Sequence, residues 1–239
     1  MAHTVINRLT KAHSTLTLPA LQVLAETAAI AAKDAGRYLT KVRNQKHQIM
    51  HKKGGNTLSS QVVTAADLTS QEIILSHLKK SIIKYDLGLL TEELLDDQSR
   101  LNKAYFWCID PLDGTLPFTE GKGGYAVSIA LIKQDGTPII GVVYDPENKV
   151  LYQGIQGNGV YKNHKKWSPN DHAKQNDLLF FSNRSFKKLP SYSIVKRQLK
   201  KIAFLLGKKE VKESSFAGSV MNAIWTLENS PACYLALPK

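Results

Sequence analysis

A chain of 239 residues, 43% hydrophobic and 22% charged, has enough apolar surface for a substantial core, which excludes a long disordered region. Its two cysteines, Cys108 and Cys233, are too few for a disulfide framework and lack metal-ligand spacing. The net charge of +12 suits a polyanionic partner, whether nucleic acid, anionic lipid or a small phosphorylated substrate.

Residues 1–16 mix His, Asn, Arg, Lys and Thr without an apolar core, so they read as an N-terminal extension and not a signal peptide. From Pro19 to about Arg43, Leu21, Leu24, Ala25, Ala28, Ala31, Ala32, Ala35 and Leu39 recur at helical spacing, and Pro19 suits a helix start. Residues 44–57 are basic and contain Gly54-Gly55, which predicts a loop that is neither strand nor helix. A second helix is expected from Ala65-Ala66-Asp67, carrying Leu68, Ile73, Ile74, Leu75, Leu78 and Ile82 inward. Leu87-Gly88-Leu89-Leu90 predicts a strand with an acidic end at Thr91-Glu92-Glu93.

The centre reads as β structure. Tyr105–Ile109 predicts a buried strand stopped by Asp110-Pro111, because proline cannot donate to a ladder. Tyr125–Lys133 and Pro138–Tyr144 flank Asp135-Gly136, a hairpin signal, and Val150–Ile155 and Gly159–Tyr161 continue the series. Beyond them come a strand over Leu178–Ser182, a basic amphipathic helix over 188–206, a segment over Phe216–Asn229 that is helix-like after Gly218-Ser219, and a strand from Ala232. The expected fold class is layered α/β (α+β), with a metal-binding lobe at 17–175 and a partial second lobe at 176–239.

Lys and Arg collect at 41–53, at Lys79-Lys80 and Lys165-Lys166, and from Arg184 to Lys212. No RNA-binding aromatic signature or zinc-finger spacing accompanies them, so they read as solvated faces and no nucleic-acid partner is expected. No apolar run reaches the length of a membrane span, and a soluble, cytoplasmic protein is expected. Cys108 sits in an aromatic and aliphatic run and reads as a small buried hydrophobe.

The chemistry concentrates in Asp110-Pro111-Leu112-Asp113-Gly114-Thr115. A tight turn between Asp110 and Asp113 can aim both carboxylates into one space, and hard Mg²⁺ takes such oxygens together with waters and a substrate phosphate. Gly114 lets the backbone approach closely, Thr115 can cap a following helix, and amides at a helix start receive anions. On the residues alone, Asp-Pro-x-Asp-Gly is equally compatible with a plain turn.

Four ordered segments favour the first reading. Val62-Val63-Thr64-Ala65-Ala66-Asp67, Thr91-Glu92-Glu93, Trp107-x-Ile109-Asp110-Pro111-Leu112-Asp113-Gly114-Thr115-x-x-Phe118 and Phe216-Ala217-Gly218-Ser219 together resemble the inositol monophosphatase superfamily. The resemblance runs from about Gln61 to Tyr234, and Asp-Pro-Leu with Val-Thr-Ala-Ala-Asp leans toward the 3'(2'),5'-bisphosphate nucleotidase branch.

The resemblance implies an αβαβα sandwich of the sugar-phosphatase type, a Mg²⁺-dependent phosphomonoesterase with two or more ions, and a monomer or homodimer. Glu92, Asp110 and the Leu112 carbonyl would bind one ion, and Asp110 and Asp113 a second. Thr115 with Asp67 would deprotonate the attacking water, with Glu92 assisting. The backbone at Gly114 and Thr115 would hold phosphate, and Gly218 and Ser219 would meet the substrate. The implied substrate is a small phosphorylated metabolite, first of all 3'-phosphoadenosine 5'-phosphate, hydrolysed to AMP and phosphate. Inositol monophosphate or fructose 1,6-bisphosphate hydrolysis is the alternative within the fold.

Each role also has a plain structural alternative: a solvated strand end for Glu92, an early helix charge for Asp67, a cap for Thr115, and a helix start for Gly218 and Ser219. Three positions depart from the pattern. Leu116-Pro117 replaces a more polar or basic pair, Asn222 stands where the nucleotidase branch places Lys, and the sequence ends at Leu237-Pro238-Lys239, short of the family's Trp-Asp motif. The last departure carries an expectation of a truncated second lobe and a further reading, a non-catalytic remnant that binds phosphorylated ligands.

Overall fold

The computed structural model describes residues 15–43, 49–51, 62–169 and 176–236. Most of the expected N-terminal extension, and most of the loop expected at 44–57, lie outside these residues.

Helix α1 (Leu18–Val42) carries Pro19 in its first turn, where a missing N–H costs nothing, and buries an Ala-rich stripe with Leu24 and Leu39. Small side chains there let α1 lie close to helix α2 (Ala65–Tyr85) and to the main sheet. The inward stripe of α2 is Asp67, Ser70, Gln71, Ile74, Leu78 and Ser81, polar at its first turn and apolar beyond. Leu68, expected inward, is exposed, because it lies off this stripe.

Strands β1 (Ile49–His51) and β2 (Val62–Thr64) pair antiparallel, so part of the segment expected to be loop is a strand. The partner in this pairing is Val62–Thr64, a β-branched run that the local sequence at 49–51 does not reveal.

The main sheet contains β3 (Gly88–Thr91), β4 (Tyr105–Asp113), β5 (Ala126–Lys133), β6 (Pro138–Asp145), β7 (Val150–Ile155), β8 (Gly159–Lys162) and β9 (Lys165–Trp167), in that spatial order. β3 runs parallel to β4, and the rest form an antiparallel meander. The hairpin at Asp135-Gly136 forms as predicted, with Gly136 at φ +88° and Thr137 N donating to Asp135 Oδ1 over 2.8 Å. Strand β9 is absent from the sequence reading, since Lys165-Lys166 masks its period, and the same lysines protect an edge strand.

The expected stop at Pro111 does not occur. β4 continues to Asp113, which pairs with Ala126, and the ladder shifts register between Asp110 and Asp113. A bulge absorbs the proline there, because the residues it displaces need no ladder N–H.

A second sheet, ordered β11-β10-β12, is wholly parallel: β10 (Leu178–Ser182), β11 (Val211–Ser214) and β12 (Ala232–Leu235). β11 was not expected, since Val211-Lys212-Glu213-Ser214 reads as polar without its partner. The helix expected at 188–206 is α4 (Tyr192–Leu205), preceded by a 3₁₀ turn at Arg184–Lys188. Pro190 accounts for the break between them. Helix α5 (Ser219–Glu228) starts at the expected Gly218-Ser219 and packs against both sheets.

Helix and sheet layers thus alternate from α1 and α2 through to α4, the expected mixed α/β class. One apolar cluster joins α1, α2 and the main sheet around Trp107, Ile129 and Leu131, and a smaller one joins Phe180, Phe186, Leu199 and Ala203. Each fully buried aliphatic side chain there stabilises the fold by about 1.5–3 kcal/mol. Cys108 is half-buried, and burial, with Asp110 nearby, pushes its thiol up, away from nucleophilic thiolate.

Candidate active site

The ends of β3 and β4 bring Glu92 and Asp110 side by side. Their register places Thr91 beside Ile109, and Glu92 N donates to Ile109 O over 3.2 Å, so Glu92 follows directly beside Asp110. Glu92 is exposed and Asp110 half-buried. Asp110 Oδ1 accepts from Leu112 N at 3.1 Å, which tightens the bulge.

Helix α2 supplies the wall behind this turn. Ser70 Oγ donates to Pro111 O over 2.8 Å in a buried contact, and Thr91 Oγ1 donates to Gln71 Oε1. Asp67, 3% exposed, sits one helical turn before Ser70 on the same face of α2. Ser70 and Gln71 escaped the sequence reading. Their signal was available: polar residues three and four positions after Asp67 on an otherwise apolar stripe.

After the bulge, Gly114 takes φ +87° and starts the short helix α3 (Thr115–Thr119). Gly114, and not Thr115, occupies the cap position. The Thr115 hydroxyl instead donates to Leu112 O at 3.3 Å, leaving its lone pairs open.

Asp113 reaches across the molecule. Its Oδ1 accepts from Ser219 N at 3.0 Å and its Oδ2 from Val220 N at 2.8 Å, so one carboxylate, 7% exposed, satisfies two orphan amides of α5. Gly218 N donates to Gly124 O over 2.8 Å, and Gly114, Gly124 and Gly218 crowd one another at this junction. The backbone of Gly218 and the exposed Ser219 thus lie beside the Asp110–Thr115 turn, although 106 residues separate Asp113 from Ser219.

The remaining departures have structural readings. Asn222 is fully buried and its amide donates to Ala217 O at 3.2 Å, so position 222 faces the helix start and not solvent. Pro117 lies within α3 and is buried.

The donor set is hard oxygen throughout: Glu92, Asp110, Asp113 and the Leu112 carbonyl. Among the described residues no group of three or more His, Cys, Asp or Glu is placed to hold a metal ion by itself. This set fits Mg²⁺, which keeps several waters and needs only one or two carboxylates besides substrate oxygens, better than an ion demanding an all-protein cage.

Glu120, just past α3, is gripped by Arg184 through two contacts of 2.5 Å and by Lys122 at 2.9 Å, tying this loop to the segment after β10. The Arg184 guanidinium holds the Glu120 carboxyl down from 4.5 to about 2. A carboxyl lowered on folding stabilises above its unfolded value and loses that contribution as pH falls. With each side chain about a third open to solvent, screening limits the pair to about 1 kcal/mol. Glu120→Gln is therefore expected to lower stability slightly at pH 7, with the difference from the parent vanishing as pH falls from 4.5 toward about 2. Urea melts across that range check it, and a difference that persists at low pH would refute the pairing.

Comparison with known proteins gives this geometry its context. The 3'(2'),5'-bisphosphate nucleotidase CysQ of Salmonella typhimurium is 41% identical over 98 residues, covering 40% of this chain and 38% of that protein. The fructose-1,6-bisphosphatase/inositol-1-monophosphatase of Aquifex aeolicus is 35% identical over 173 residues, covering 70% of this chain and 61% of its own length. Among solved structures, CysQ from Bacteroides thetaiotaomicron superposes with a TM-score of 0.66 at 25% identity, over 87% of this chain and 77% of that one. The chain spans less than two thirds of the length of these curated relatives. The model of the inositol monophosphatase family matches residues 20–238, and the chain belongs to that family.

Proposed function

We propose that the protein is a Mg²⁺-dependent phosphomonoesterase acting on a small phosphorylated metabolite, with 3'-phosphoadenosine 5'-phosphate, cleaved to AMP and phosphate, as its first candidate substrate. The observation that carries the reading is the junction of Asp110–Thr115 with the α5 start, which sets carboxylates, a hydroxyl and backbone amides on one side of the β3–β4 end. Relatives named for phosphate-ester hydrolysis support the reaction class, and the bisphosphate nucleotidase name supports the substrate. The family is metal-dependent, typically on Mg²⁺.

In this reading Glu92, Asp110 and the Leu112 carbonyl hold one ion, and Asp110 and Asp113 a second. Bound there, the ions would polarise the phosphoryl oxygens and lower the pKa of water. The Thr115 hydroxyl, fixed by its bond to Leu112 O, accepts a hydrogen bond from the attacking water, and Asp67 takes the proton. Water oxygen bonds to phosphorus as the ester P–O bond breaks, and the departing oxygen takes a proton from solvent water. Amides at Gly114 and Thr115 hold the phosphate. Because Ser219 N already serves Asp113, the hydroxyl of Ser219 and the backbone around Gly218 are what remain for the substrate.

Phosphate release by the 239-residue protein from 3'-phosphoadenosine 5'-phosphate, inositol 1-phosphate and fructose 1,6-bisphosphate, with Mg²⁺ or with EDTA, tests the proposal. The expected result is Mg²⁺-dependent release, highest on the adenosine bisphosphate. Equal release in EDTA would sink the metal-dependent reading. Metal-dependent release highest on a sugar or inositol ester would move the substrate. Calorimetric binding without turnover would establish the non-catalytic alternative, which the commitment of both Asp113 oxygens to α5 favours.

A further inference from the structure

The positive charge of this chain is not spread evenly. Residues 184–212 hold ten Lys or Arg and one acidic residue, Glu210, and so account for nine of the twelve net positive charges. Nothing in the proposed chemistry uses most of them. Helix α4 lies at the centre of this segment and packs inward through Leu199 and Ala203, with Tyr192 and Val195 beside them.

The opposite face of α4 is not a plain solvated face. At 100° per residue, Ile194, Arg197, Lys200, Lys201, Phe204 and Leu205 fall on the side away from Leu199, and all six are exposed. Phe204 and Leu205 are each 81% exposed and Ile194 is 53% exposed. Large apolar side chains therefore alternate with cations one turn apart on a single outward surface. A helix with cations and Phe or Leu interleaved on its outer face suits the plane of an anionic bilayer, where acyl chains take the apolar groups and long basic side chains reach headgroups.

We propose that the outer face of α4 is a peripheral docking surface for anionic phospholipid bilayers. Charge complementarity selects the anionic surface, and the Phe204-Leu205 pair distinguishes a lipid from a polyanion that offers only phosphates. No described helix is long and apolar enough to cross a membrane, so the contact lies in the interface plane. The six residues lie on the outside of the second sheet's helix and have no part in the proposed hydrolysis, so this surface stands or falls independently of that reading.

Co-sedimentation of the 239-residue protein with phosphatidylcholine vesicles, and with vesicles in which a third of the lipid is phosphatidylserine, tests it. Binding to the anionic vesicles at least tenfold tighter than to neutral ones is expected. The double variant F204S/L205S, and separately R197E/K201E, should each weaken it about tenfold or more, with unchanged urea midpoints because all four side chains are exposed. Three results would overturn the proposal: equal binding to both vesicles, anionic binding unaffected by F204S/L205S, or RNA binding as tight as vesicle binding and equally insensitive to that variant. A chain whose elution position on gel filtration shifts to a smaller species in F204S/L205S would also overturn it, by assigning the face to a second copy.

Discussion

Replacing Asp113 with Asn is expected to cut Mg²⁺-dependent phosphate release by about a hundredfold or more, and to destabilise the protein by about 2–3 kcal/mol. Two functions meet in one carboxylate. Asp113 Oδ1 and Oδ2 each accept a backbone N–H from the first turn of α5. Hydrogen bonds to a charged acceptor are the stronger kind, and the partial positive charge of the helix start adds to them. Asn keeps one carbonyl oxygen and turns an NH₂ group toward the second amide, so donor faces donor. The lost charge also removes a ligand oxygen in the proposed metal site. Urea unfolding separates the two: a lowered midpoint with an unchanged slope reports the cap, and release measured under fully folded conditions reports the chemistry. A variant with parental midpoint would refute the capping role, and one with parental turnover the ligand role.

Gly218→Ala is expected to be at least as damaging, by a steric route. An added Cβ would overlap Asp113 Oδ2 and lie 2.7 Å from Gly114 N. Neither neighbour can yield, because Asp113 is held by two helix amides and Gly114 is backbone in the left-handed region. Gly218 itself has φ −63° and is conformationally undemanding, so the cost is contact alone. Overpacking of this kind costs about 1–3 kcal/mol where surroundings can shift, and here the rigid junction puts the expectation at the upper end or beyond. The loss should appear as faster hydrogen exchange in α5 and the second sheet, together with lost phosphate release. Gly141→Ala is the control: its backbone likewise lies outside the left-handed region, and nothing lies within 4 Å of the new Cβ. Equal melts for the two variants would show that the junction is not packed as described.

Much of the site was legible because its components are short-range. Asp110, Asp113 and Gly114 lie within one turn, and the strand before them is a continuous apolar run. Pro111 misled, since its meaning depends on a partner strand that can accommodate a bulge. Thr115 misled for a similar reason: Gly114 can take the left-handed cap conformation, which frees the threonine hydroxyl to turn back to Leu112 O. β9 and β11 are strands by pairing more than by pattern, with lysines and polar residues that carry no period of two.

The sequence by itself determined the helices α1 and α2, the Asp135-Gly136 hairpin, the β3 and β4 strands and the acidic turn at their ends, because helix period, strand composition and turn chemistry are local properties. Only the tertiary structure decided where Asp113 points. Its partners lie 106 and 107 residues away, and any helix start offers the same unpaired amides. Which carboxylate meets them follows from how the two sheets pack around α5, and from three glycines close enough to let the backbones touch.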